Sequence, residues 1–264
     1  MRTLMLMLLA GLTGCGDVRT DWAGGTEDPP LPDVTVLRVL QWWSDEKDDS
    51  VMYMWGTGFP ISSSGIITYK HMLPPHVKHV HVEGKIAFIV DRGNEGAGWD
   101  DWLHVRFPSA PNQIPVLGPK VELHPGERVA IVGFSSRGAA EGCTRILSDY
   151  HSEVVYGKVV SKPFGLGLPE EIALVKVEDA SLHGFSGGPV MVFRDNNWVV
   201  IGVHVGKLNR NILKGIFSSK LRIARRLPEH LLENENNTSY CRAPCGYEAE
   251  PNETEKRCLS EKGG

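Results

Sequence analysis

Apolar residues in this chain fall in short runs broken by Gly, Pro, Ser and Asn. Residues 34–40 predict a strand. Residues 52–61 and 65–69 predict a hairpin whose turn is Ser62-Ser63-Ser64-Gly65. Runs at 77–82 and 86–90 follow, then one at 102–107, where Leu103, Val105 and Phe107 alternate with His104 and Arg106. A second set comprises residues 128–133, 154–160, 172–177, 190–193 and 198–203. Short runs with turn chemistry between them predict an all-β sandwich or barrel. Residues 219–232 predict the one helix, interrupted by Pro228. No repeat of fixed period is present.

Composition adds limits to that picture. The chain has 264 residues, 41% hydrophobic and 23% charged, enough for a sizeable core. Its 29 glycines and 17 prolines suit a fold rich in turns. The formal net charge is -4, so no nucleic-acid partner is expected.

The N-terminus stands apart. Arg2 precedes an apolar stretch over 4–12 that is too short to span a bilayer and has the proportions of a signal peptide. It ends in Leu12-Thr13-Gly14-Cys15, which resembles the lipobox of bacterial lipoproteins. That resemblance implies a signal over 1–14, lipid on Cys15 and a membrane-anchored protein outside the cytoplasm, on the periplasmic side or the cell surface. An ordinary signal peptide that happens to contain a cysteine is the alternative. Residues 15–33, with Gly24-Gly25 and Pro29-Pro30, predict a flexible tether. Cys143, Cys241, Cys245 and Cys258 remain, either as two disulfides in an oxidising compartment or as free thiols. Residues 233–264 form a polar, Cys-containing tail.

The chemistry concentrates around residues 183–190, HGFSGGPV. Small residues crowd one serine just before an apolar run. A serine hydroxyl is a poor nucleophile until a base takes its proton, and the base needs a third group to orient it. Gly184-Phe185-Ser186-Gly187-Gly188 satisfies G-x-S-x-G, but Pro189 and a strand follow where an α/β-hydrolase elbow needs a helix. Asp195 and His204 also lie too close behind Ser186 for that arrangement. The other chain order is His, Asp, Ser, and His71 lies upstream at the end of GTGFPISSSGIITYKH, residues 56–71.

These segments resemble trypsin-like serine proteases, HtrA-type members above all. GTGFPISSSGIITYKHML is similar to their first-barrel hairpin ending at the catalytic histidine. HGFSGGPV resembles their nucleophile loop. VELHPGERVAIVGF, residues 121–134, resembles the strand that opens their second barrel. The resemblance spans roughly residues 54–206 and implies two antiparallel six-stranded β-barrels with a cleft between them. The first would cover 34–120, and the second 121–232 with a short C-terminal helix.

It also implies roles. Ser186 would attack the scissile carbonyl of a protein or peptide, His71 would act as general base, and the N–H groups of Gly184 and Ser186 would form the oxyanion hole. No cofactor or metal is called for. The acid is Asp101, at the head of a strand like the family's D-x-A-L-L, with neighbouring Asp100 as the runner-up. Asp91 ends an earlier strand and is weaker, and Glu171 lies too near Ser186. In trypsin an Asp before the serine pairs with a freed N-terminus. Phe185 stands there and cannot, so activation of that kind is not expected.

Residues 200–206, VIGVHVG, resemble the G-x-H-x-G segment of glutamyl endopeptidases and of picornavirus-type cysteine proteases. That likeness implies an S1 pocket from Ser181, His204 and Gly206 with a Glu or Gln preference, since Ser and His both donate hydrogen bonds. A core histidine satisfied by a neighbouring carbonyl is the alternative for His204. His76, His79 and His81 invite a metal, yet a solvated strand face is the simpler expectation. The stretch after Gly206 is short for a further peptide-binding domain of the HtrA kind, so a trimer is not implied. The alternative function is an inactive, trypsin-like lipoprotein that binds peptides without cutting them.

Overall fold

The computed structural model describes residues 29–44, 51–71, 73–94, 100–108, 111, 113–118, 120–135, 152–162, 168–177, 182–207 and 221–231. The five cysteines and Ser181 lie outside these residues, as do the signal and the C-terminal tail.

Six strands build the first barrel: β1 (Leu37–Ser44), β2 (Val51–Pro60), β3 (Gly65–Thr68), β4 (His79–Val82), β5 (Lys85–Arg92) and β6 (Leu103–Arg106). Their order is β1-β2-β3-β6-β5-β4, and β1 closes on β4 through Val39↔Val82 and Leu40↔His81. Every pair is antiparallel. The β2–β3 turn closes when the Ser62 hydroxyl oxygen accepts the Gly65 N–H at 2.7 Å. Inward positions alternate along the strands, as the pleat requires. Val39, Ile66, Val80, Val82, Ala87, Leu103 and Val105 fill the interior.

The second barrel uses β8 (Arg128–Phe134), β9 (Ser152–Val160), β10 (Ile172–Val177), β11 (Pro189–Arg194), β12 (Asn197–Lys207) and β13 (Leu221–Arg226). The order is β11-β8-β9-β10-β13-β12, closed by antiparallel β11–β12 pairing. A short strand, β7 (Val116–Leu117), adds to β12 in parallel. Val129, Ile131, Val175, Val190, Ile201 and Ala224 fill this interior. The opposite strand faces meet in a third cluster. There Phe59, Ile61, Ile67 and Trp102 from the first barrel pack with Ala130, Val132, Met191 and Val203 from the second. The architecture is the chymotrypsin-like pair of antiparallel barrels.

Two expectations need correction. Among the described residues, the helix expected over 219–232 is instead strand β13, followed by helical residues at 229–231. Its side chains alternate with period two: Leu221 and Ile223 enter the inter-barrel cluster, while Ala224 enters the second barrel. The strand expected over 34–40 begins later, at Leu37, and runs on to Ser44, because its ladder with β2 extends to Ser44↔Val51. Val34 and Val36 pack against the inter-barrel cluster ahead of it.

Candidate active site

β3 ends at Thr68, and the next three residues turn His71 toward the start of β6. His71 Nδ1 lies 2.5 Å from Asp101 Oδ2. The Asp101 side chain is 5% exposed against 32% for His71, so the carboxylate lies beneath a half-open imidazole. Its other oxygen accepts the Lys70 backbone N–H at 2.8 Å. Both carboxylate oxygens are therefore engaged, which locks the rotamer and aims one oxygen at the ring.

The segment before His71 is held as well. Buried Lys70 donates from Nζ to the carbonyls of Gly93 and Asn94, each at 2.8 Å. Tyr69 stacks beside His71 with ring centroids 4.7 Å apart, and its hydroxyl donates to Met54 O at 3.0 Å. Burial, followed by the charge of Asp101, pushes the Tyr69 phenol well above its ordinary value, so it stays a neutral donor. Buried Gln41 donates to Tyr69 O at 2.5 Å.

The competing carboxylates have other partners. Asp100 accepts from Arg225 Nε at 2.8 Å, from Trp102 Nε1 at 2.8 Å and from Asn94 N at 2.7 Å. Burial alone would raise its pKa, but Asn94, Arg225 and Trp102 outweigh that and hold the carboxyl below its usual range. Asp91 faces His230, with Nε2 to Oδ2 at 3.0 Å. Glu171 is exposed just ahead of β10, and its carbonyl accepts the Arg226 N–H at 2.7 Å. Of the four acids weighed from the sequence, Asp101 is the one paired with His71.

Ser186 sits in a tight loop between residues 182 and 188. Gly188 N donates to Phe185 O at 2.9 Å, and Gly184 and Gly187 take φ values of +89° and +84°. An L side chain is strained there. At Gly187 a Cβ would also lie 2.2 Å from Thr57 O. This crowding exists because the loop presses on β2. Thr57 N donates to Ser186 O and Thr57 Oγ1 donates to Gly184 O, both at 2.8 Å. The same hydroxyl oxygen accepts the Phe134 N–H at 3.0 Å, tying β2 to β8. Among the described residues, the Gly184 and Ser186 N–H groups have no hydrogen-bond acceptor. Phe185, fully buried, anchors the loop in the second barrel.

His204 lies on β12 beside this loop. Its backbone N donates to Gly188 O at 2.8 Å and its carbonyl accepts Gly187 N–H at 2.9 Å. The ring is 1% exposed, and among the described residues neither ring nitrogen has a hydrogen-bond partner. Burial pushes its pKa down to about 4. The Phe185 carbonyl and Asp101 favour the charged ring without offsetting burial, and Arg222 and His71 oppose it. The Phe185 carbonyl is thus the neighbouring backbone group that acts on the ring. Gly206, with φ +140°, sits at a bulge where β12 meets β13. The rings of His79 and His81 share one strand face at 5.8 Å.

Thr57, Lys70, Gln41 and Arg225 were not singled out from the sequence. For Thr57 a signal was available. Its flanking Gly56 and Gly58 mark a backbone that something approaches closely, and a Cβ on Gly56 would lie 2.8 Å from Ser186 O.

No protein-family model matches the chain, and no curated protein matches it. Among solved structures it is similar to the active form of the Rv3671c protease from M. tuberculosis. The identity is 17%, over 83% of this chain and 91% of that one, with a TM-score of 0.49. The inactive form of the same protease matches at 18% identity, over 76% and 87%, with a TM-score of 0.45. The serine endoprotease from Yersinia pestis matches at 14% identity, over 75% and 60%, with a TM-score of 0.47.

Proposed function

We propose that this chain is a serine endopeptidase with Ser186 as nucleophile, His71 as general base and Asp101 as the acid that orients it. The observation that carries this reading is the 2.5 Å contact between His71 Nδ1 and Asp101 Oδ2. It leaves Nε2 to take the Ser186 proton as Oγ attacks the scissile carbonyl. His71 then returns the proton to the leaving amine, and water hydrolyses the acyl-enzyme by the same route. The Gly184 and Ser186 N–H groups would receive the oxyanion. Losing one such donor costs about 10²–10³-fold in rate.

His204 supports a Glu or Gln preference at P1, in a pocket shared with Ser181 and Gly206. A buried imidazole whose ring nitrogens lack a well-formed hydrogen bond among the described residues gains one when a carboxylate or amide enters. Cys15 is proposed as the lipid anchor that holds the enzyme to a membrane outside the cytoplasm. Replacing it with Ser releases the protein to the soluble fraction if this is right.

The test is labelling with a fluorophosphonate probe, comparing wild type with Ser186→Ala and His71→Ala. Wild type alone should label, and peptide libraries should then show cleavage after Glu or Gln rather than Lys or Phe. Folded wild type that does not label overturns the reading in favour of a peptide-binding protein without catalysis.

A further inference from the structure

Asp101 belongs to the first barrel, yet one of the groups that fixes it belongs to the second. Asp100 immediately precedes Asp101, so holding the Asp100 carboxylate fixes the backbone that enters Asp101. Three donors hold it: Asn94 N at 2.7 Å, Trp102 Nε1 at 2.8 Å and Arg225 Nε at 2.8 Å. The first two come from the first barrel. Arg225 comes from β13, 125 positions further along the chain.

The ring of contacts then continues to His71. Asn94 and Gly93 offer their carbonyls to Lys70 Nζ, and Lys70 N donates to Asp101 Oδ1. Gly93 N donates to Trp102 O at 3.0 Å, and a Cβ on Gly93 would lie 2.0 Å from Asp100 O. Two backbone segments are thus locked face to face around the acid. The Arg225–Asp100 pair is only 14% and 17% exposed, where an ion pair is screened far less than at the surface. Arg225 itself is fixed by the β10–β13–β12 ladder, opposite Ile172 and Val203.

We infer that Arg225 is a positioning residue: from the second barrel it holds Asp100, and through Asp100 it keeps Asp101 aligned on His71. The inference rests on the protease reading above. Its consequence is kinetic, because displacement of a reacting group by about 1 Å can cost about 10²-fold.

The experiment uses the full chain and four variants: Arg225→Met, Arg225→Lys, Asp100→Asn and the double Asp100→Asn/Arg225→Met. Arg225→Met is expected to lower kcat by about 10²-fold while KM stays within about twofold. Arg225→Lys should recover part of that loss. Asp100→Asn should lose about as much, and the double variant no more than either single one, since the two act through one contact. The downfield proton NMR signal of a hydrogen-bonded His71 Nδ1–H should be present in wild type and broadened in Arg225→Met.

A kcat within about twofold of wild type in Arg225→Met overturns the inference. So does a loss of kcat that tracks a loss of thermal stability while the His71 signal is unchanged. If Arg225→Met does not fold, Asp100→Asn decides, since one amide oxygen cannot accept both from Asn94 N and from the Arg225–Trp102 pair, which bind different carboxylate oxygens: wild-type kcat there refutes the inference. Failure of the underlying protease reading would look different, because wild type itself would then not react with the fluorophosphonate.

Discussion

The first barrel holds its two site residues by polar contacts, and the second adds a buried apolar anchor to the hydrogen bonds on its serine loop. Asp101 and His71 depend on Lys70, Asn94, Asp100 and Arg225, a chain of directional hydrogen bonds and charges. Ser186 depends on Phe185, a fully buried ring, and on glycines that let the loop pass within hydrogen-bond reach of β2. Asp101 needs a fixed rotamer to meet His71, which its hydrogen bonds specify. Ser186 needs a fixed backbone, which a large buried side chain supplies alongside the hydrogen bonds with Thr57 and His204. Burial of Phe185 anchors this loop from inside the second barrel.

Four changes test that contrast, from the largest effect to the smallest. Asp101→Asn should leave the fold intact and lower kcat by about 10⁴-fold, since the ring is left in the wrong tautomer. Single-turnover acylation assays check it, and a near-normal rate would remove the polar half of the contrast. Phe185→Ala should cost about 3–5 kcal/mol of stability by opening a cavity in the second barrel. Urea unfolding measures this, and a loss below about 1 kcal/mol would mean that the ring is not the anchor.

The pH response of His204 comes next. Its ordinary pKa is 6.5 and its folded value about 4. The unfolded chain therefore binds more protons between those values, so stability rises with pH across the window and levels off above it. The difference corresponds to about 3 kcal/mol, and His204→Asn should flatten the rise in urea unfolding followed from pH 4 to 7. An equally steep rise in that variant would assign it to other groups. Thr57→Val should have the smallest effect on stability, about 1–3 kcal/mol, by leaving Gly184 O and Phe134 N without their partner. Its kcat should fall by about tenfold as the loop loosens. Unchanged kcat would show that Phe185 holds the loop unaided.

Much of this was legible in the sequence because its signals are local. Short apolar runs between turn residues placed all six strands of the first barrel and five of the six in the second. Glycines with Ser186 marked the loop, and the ends of two strand runs marked His71 and Asp101, which the structure pairs. β13 was missed because Arg222, Arg225 and Arg226 hide its alternation, and Arg222 is itself buried at 1% exposure, against the usual rule for charge. The supporting residues were missed for another reason. Thr57 meets Gly184 across 127 positions and Arg225 meets Asp100 across 125, and no local pattern reports a contact of that span.

Those spans also set a timetable. Contacts between residues far apart in the chain form late, after the loops between them have closed. Thr57 cannot bind the Ser186 loop until the second barrel is under construction, and Asp100 has no Arg225 until β13 is laid down. An N-terminal fragment ending before residue 221 carries His71, Asp101 and Ser186 but lacks a wall of the second barrel and that clasp. On the proposed protease reading, competence would follow only once β13, the last strand among the described residues, is in place.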